Sequence, residues 1–194
     1  MANKGFLLVL MHCPAAFEEE FNAWYDAEHI PERLAVPGFE TGLRFVCIDG
    51  APRYLAMYDL TRPEVLQSPA YLNVAGEKSS PWTRRVTSRV RIYRSAGVQI
   101  YPGDAVTRRS ARVMVLRFAG LEARSEQAVV AGMRASFADL PAVRQVRVFA
   151  YDKGSSIDLL GFVEARAPLD LKLDLAPFGA CADALDLVNT YVPY

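Results

Sequence analysis

A chain of 194 residues with 52% hydrophobic and 23% charged side chains can bury a real core and is not of disordered composition. Its 22 basic and 22 acidic residues cancel, which removes the long-range field that nucleic-acid binding usually needs; Arg84-Arg85 and Arg108-Arg109 read as solvated loops. No apolar run approaches the roughly 20 residues that cross a bilayer, so a cytoplasmic protein without membrane or nucleic-acid partners is expected.

In chain order, Phe6 to Met11 is a short apolar run, read as a strand buried on both faces rather than a secretory segment. After Pro14, Phe17, Phe21 and Trp24 recur at helical spacing, with Glu18, Glu19 and Glu20 where the helix dipole favours acids. Pro31 disfavours the α region at Ile30, so this helix should stop or kink near His29, and a further turn should run from Glu32 to Leu34 up to Pro37-Gly38. Phe39 to Ile48 and Arg53 to Leu60 read as strands joined through the Asp49-Gly50 turn. A second helix begins near Pro63, with Ser68-Pro69 set to break it, and Val86 to Tyr93 reads as a strand with Arg89 and Arg91 on its polar face.

Pro102-Gly103-Asp104 then punctuates the chain and the order restarts, dividing it into residues 1–103 and 104–194. Arg112 to Phe118 is a strand, Arg124 to Phe137 a helix, and Val143 to Tyr151 and Ile157 to Glu164 two more strands. Pro168 opens a helical region and Leu187 to Val192 is the last strand. Pro37 and Pro141, Phe45 and Phe149, Leu55 and Leu159, and Tyr58 and Phe162 are each separated by 104 positions. Pro63 needs 105 to reach Pro168, so the duplication is read at the level of elements. A β-α-β-β-α-β unit is the ferredoxin-like plan, and the expected α+β fold packs two such antiparallel sheets face to face as an intrachain α/β barrel. The apolar cleft between the sheets is the expected pocket.

Trp24-Tyr25-x-x-Glu28-His29-Ile30-Pro31, followed by Pro37-Gly38-Phe39, resembles the dimeric α/β-barrel superfamily, and most closely its EthD-like branch. That superfamily includes muconolactone-isomerase-like proteins, small monooxygenases, polyketide cyclases and haem-degrading enzymes, most of them barrels of two identical subunits. The resemblance implies a tandem fusion that supplies both halves from one chain; further association into a homodimer is left open. At the 104-residue offset His29 falls on Met133 and Trp24-Tyr25 on Ala128-Val129, and no histidine follows residue 29. A single active pocket in the first half is therefore expected, with the second half as a lid.

His29 carries the functional expectation, because imidazole exchanges protons near neutral pH. Tyr25 or Asp26 can reach it on the helix surface, and Asp26 or Glu28 could orient it; the competing reading is a histidine that caps or anchors the helix. His12, at the end of the first strand, is either a second proton carrier or an exposed strand-end residue. Trp24 is a core residue or a stacking surface. Arg44 and Tyr58 could line the cleft and orient an oxyanion, and Trp82 could close its mouth. The adjacency of Glu28 and His29 argues against a metal site, and the odd set Cys13, Cys47 and Cys181 argues against disulfides and structural zinc. No nucleophile elbow, phosphate loop or dinucleotide fingerprint is present, so no cofactor is demanded. The expected function is a cofactor-independent isomerase, cyclase, lyase or monooxygenase acting on a small hydrophobic carbonyl or aromatic compound. The alternatives are a non-catalytic binder of an apolar metabolite and a haem protein with His29 or His12 as axial ligand.

Overall fold

The computed structural model describes residues 3–169 and 172–194. Eight antiparallel strands close into one barrel in the order β1-β3-β2-β8-β5-β7-β6-β4. The strands are β1 (Gly5–His12), β2 (Leu43–Cys47), β3 (Tyr54–Leu60), β4 (Arg91–Tyr101), β5 (Arg112–Leu121), β6 (Val143–Asp152), β7 (Ile157–Ala165) and β8 (Leu185–Pro193). β1 to β4 lie together as β4-β1-β3-β2, and β5 to β8 repeat that arrangement as β8-β5-β7-β6. The seams are β2 with β8 and β4 with β6. Closure pairs the sheet edges, which would otherwise invite another chain.

Alternation along β1 shows how the layers form. Phe6, Leu8 and Leu10 point into the barrel; Leu7, Val9 and Met11 point outward. Both sets are buried, as a continuous apolar run requires when both faces are covered. Inside, Phe6 meets Phe149 with ring centroids 4.6 Å apart, Phe45 meets Phe162, and Tyr191 is fully buried. The space between the two sheets is therefore a packed core. This corrects the expectation of an open cleft there: alternate large side chains from both sheets fill it.

The helices lie outside the barrel. In the first half they are α1 (Glu18–Trp24), a π-helical turn (Tyr25–His29), α2 (Ile30–Leu34), α3 (Pro69–Leu72) and α4 (Pro81–Thr87). In the second half they are α5 (Glu126–Phe137) and 3-10 turns over Ala176–Ala184. α5 lies flush on its sheet: a Cβ on Gly132 would strike Phe178, and one on Gly161 would strike Met133. Met133, the residue that takes the place of His29 at the 104-residue offset, is itself core.

Three sequence expectations are corrected. Val86 to Tyr93 is not a strand. Ser80 caps α4 by accepting from the Thr83 N–H, Val86 is buried on that helix, and the strand runs instead from Arg91 to Tyr101. The helical region begins at Ala176, not Pro168. The 104-residue offset fails at β3: Phe45 pairs with Leu55 whereas Phe149 pairs with Leu160, so β3 and β7 correspond at 105. One residue of slip puts a side chain on the opposite face. Leu55 accordingly matches Leu160 inside the barrel, while Leu159 faces the helices.

The segment between β4 and β5 straps one end of the barrel through three charges that are wholly buried. Arg147 is paired with Asp59 at 2.7 Å and with Glu164 at 3.2 Å. Asp59 also accepts from the Thr107 N–H, and Glu164 from the Arg108 N–H and the Ser110 hydroxyl. Burial raises the Glu164 carboxyl above its ordinary value, against the opposing pull of Arg147.

Candidate functional site

The outward residues of β1 and β3 form a floor, and α1, the π turn, α2 and α4 form a roof. Between them lies a cavity of about 500 Å³ lined by Leu7, Val9, Trp24, Tyr25, His29 and Tyr58 among others. The imidazole thus faces a pocket between sheet and helices, not the interior between the two sheets.

Pro31 explains the local backbone. It has no N–H, and in an unbroken α-helix its ring would collide with the Ala27 carbonyl. The chain widens instead, and the Ile30 N–H donates to the Tyr25 carbonyl five residues back. Four residues of α-helix overshoot a full turn by ~40°, so the wider turn keeps Tyr25, His29 and Arg33 on one line. All three face the cavity. Such single π turns gather at functional sites.

His29 lies against Trp24 with centroids 4.2 Å apart and rings 31° from parallel. Tyr25 meets it edge-on at 5.0 Å. Its Nδ1 is sealed without a protein partner, so the ring meets the cavity by its other edge. Burial, and then the charges of Arg33 and Arg44, push its pKa down to about 3, leaving the imidazole neutral near pH 7. The Tyr25 hydroxyl donates to the Met11 sulfur at 2.9 Å. The Tyr58 hydroxyl is buried next to the Tyr25 phenol and completes no hydrogen bond of good geometry. Burial drives both phenols well above their ordinary range.

The acids beside His29 bond elsewhere. Glu28 accepts from Ser80 and, at 3.0 Å, from Thr83, whose hydroxyl also accepts from the Trp24 indole at 3.0 Å. Glu28 therefore pins α4 to the π turn. Asp26 is exposed and pairs with Arg44 at 2.8 Å. The Arg44 guanidinium lies between the Tyr25 ring at 4.3 Å and the Tyr194 ring at 3.9 Å. Arg44 and Asp26 line a separate hollow of about 680 Å³, so Arg44 reaches the imidazole only through its charge and through Tyr25.

His12 is exposed and lines a third hollow with Arg91 and Tyr93, away from the His29 cavity. Trp82 packs half-buried against the first-half core and does not line the cavity. Of the sequence candidates, the structure brings Trp24, Tyr25, His29 and Tyr58 together. It adds Arg33, Tyr71 and Arg94. Arg33 was findable four residues beyond His29, and Arg94 by the period-two run Val90, Ile92, Arg94; Tyr71 had no local signal. The three cysteines are free and buried. Among the described residues, no group of three or more His, Cys, Asp or Glu side chains gathers as a metal site, and no helix is long and apolar enough to cross a membrane.

No family model and no curated protein matches the chain. Solved structures do. An anthrone oxidase-like protein superimposes with a TM-score of 0.71 at 12% identity, covering 100% of this chain and 92% of its own. The likeness is one of fold, an α+β architecture built on a closed eight-stranded antiparallel barrel. A provisionally named monooxygenase from Lactobacillus acidophilus matches with a TM-score of 0.59 at 12% identity, over 98% of this chain and 94% of that one. A mutant chlorite dismutase from Candidatus Nitrospira defluvii matches with a TM-score of 0.56 at 9% identity, over 100% and 93%. At these identities the likeness concerns the barrel and not its chemistry.

Proposed function

We propose that the chain is a cofactor-independent enzyme acting on a small hydrophobic aromatic compound that carries a carbonyl or phenolic oxygen, and that His29 is the proton acceptor. The observation that carries this reading is an imidazole packed among aromatic rings at a cavity that Tyr58, with its buried hydroxyl, also lines. A buried polar group without a partner is costly, and a ligand oxygen is a suitable acceptor for that hydroxyl. The imidazole would take a proton from the carbon next to the carbonyl, or from the phenol, and Tyr58 would stabilise the resulting oxyanion. The imidazolium is disfavoured in the empty cavity. Beside a bound enolate it gains an opposite charge, so the reaction itself supplies what the resting site lacks. Trp24 and Tyr25 would hold the substrate ring.

The names of the structural relatives, an anthrone oxidase-like protein and a monooxygenase, favour oxygenation of the deprotonated substrate over isomerisation. The matching strand order of the two halves favours descent by tandem duplication, with the EthD-like motif kept only in the first.

Anthrone tests the reading. Loss of a proton from its methylene carbon gives an aromatic enolate, and reaction with one dioxygen gives anthraquinone and one water. Oxygen uptake with anthrone should fall at least a hundredfold in His29→Gln while the melting temperature stays near that of the parent. Equal turnover in the variant would overturn the assignment. A Soret band on haem titration, altered in His29→Gln, would replace it with haem binding.

A further inference from the structure

The cavity lining contains two arginines, Arg33 and Arg94, and no carboxylate. Both guanidinium groups converge on one aromatic ring. Arg33 lies 5.3 Å from the Tyr71 centroid, and Arg94 lies 5.9 Å from it while donating to the Tyr71 hydroxyl at 2.9 Å. Like charges gathered on one ring repel, and an anion between them relieves that repulsion.

The protein neutralises the two unequally: Arg33 has an ion-pair partner and Arg94 has none among the described residues. Arg33 is buried and donates to the Val74 carbonyl at 2.9 Å. Its neighbour Glu32 stands 3.3 Å away, yet the nearer carboxylate oxygen is sealed without a hydrogen bond. Arg94 is exposed at the edge of the cavity, and no ion pair involving it occurs among the described residues. A guanidinium in that setting matches a carboxylate through two parallel N–H donors.

We propose that the cavity selects aromatic compounds bearing a carboxylate, with the anion held by Arg94 beside Tyr71 and the ring lying toward Trp24 and His29. This rests on the reading of the cavity as a substrate site and adds the class of substrate. The Arg94 end would fix the direction in which a substrate enters. The oxygen-bearing ring would then meet His29 and Tyr58 while the carboxylate stays at the mouth.

Binding of 2-naphthoate and of its neutral isostere 2-naphthamide, measured by calorimetry on the full chain, tests the proposal. The carboxylate should bind roughly tenfold tighter or more than the amide. That preference should shrink toward unity in Arg94→Gln, and should weaken as salt rises. Equal affinity for both probes, or a preference that survives Arg94→Gln, would overturn it and leave the role of His29 standing. An Arg94-dependent preference without any turnover would support the anion site and count against the enzyme. Binding of neither probe would overturn both.

Discussion

At the scale of the residue, His29 is defined by what its surroundings deny it. A histidine beside Asp26 and Glu28 suggests a carboxylate-oriented imidazole, but both acids have other partners, and the ring is left neutral among aromatics. The acid limb of kcat/KM, which reports the free enzyme, should therefore lie near pH 3 instead of near 6.5; an initial-rate profile with anthrone measures it. Stability follows the same displacement. The unfolded chain binds a proton at His29 below pH 6.5 and the folded chain does not until about pH 3, so stability is lost as pH falls through that window. The slope from this residue is at most ~1.4 kcal/mol per pH unit. Denaturant titrations at pH 7 and pH 4.5 should show a smaller loss for His29→Gln than for the parent. Tyr58→Phe removes a buried hydroxyl that completes no hydrogen bond of good geometry, and should leave the denaturation midpoint unchanged or raise stability by about 1 kcal/mol while slowing turnover.

At the scale of the element, the π turn and the strand registers decide most. The sequence reading of Pro31 is corrected: Ile30 keeps helical dihedral angles, and α1 passes through the π turn into α2 without a break, because the chain accommodates the proline by widening. Local rules predict a disruption; they do not choose between a break and a wider turn, because that choice depends on Trp24, Glu28 and Asp26 finding partners on α4 and β2. The missed helix α4 has the same cause. Val86 to Tyr93 reads as a strand by its β-branched residues, yet the Ser80 cap and the burial of Thr83 and Val86 against the first sheet override that propensity. The β4–β6 seam leaves no room at Gly97, where a Cβ would strike the Ala150 carbonyl. Gly97→Ala should cost about 1–3 kcal/mol, read as a shift in urea midpoint.

At the scale of the whole molecule, one barrel is held shut by buried charge as well as by apolar packing. Arg147 balances Asp59 and Glu164 and draws the segment before β5 across the barrel end. Arg147→Met would strand two carboxylates in a dry interior, and about 3–5 kcal/mol of stability should go with it. Chemical denaturation measures that loss. The closed interior also explains why the pocket lies outside: the thirteen buried side chains packed there leave no room for a ligand, whereas the layer under α1 and α4 is bridged by polar contacts and retains space. Among the described residues, Met133 and Phe178 fill the corresponding layer of the second half.

Spacing along the chain determined the α+β class, most strands, and the concentration of chemistry at Trp24 to Pro31, because periodicity and proline geometry act over a few residues. Tertiary structure alone decided which face of each strand met its partner sheet, since apolar residues occupy both parities and a shift of one position exchanges the faces. It likewise decided which arginines approach the imidazole. Long side chains from β2 and α2 come within reach of it only after the sheet and its helices have closed on one another.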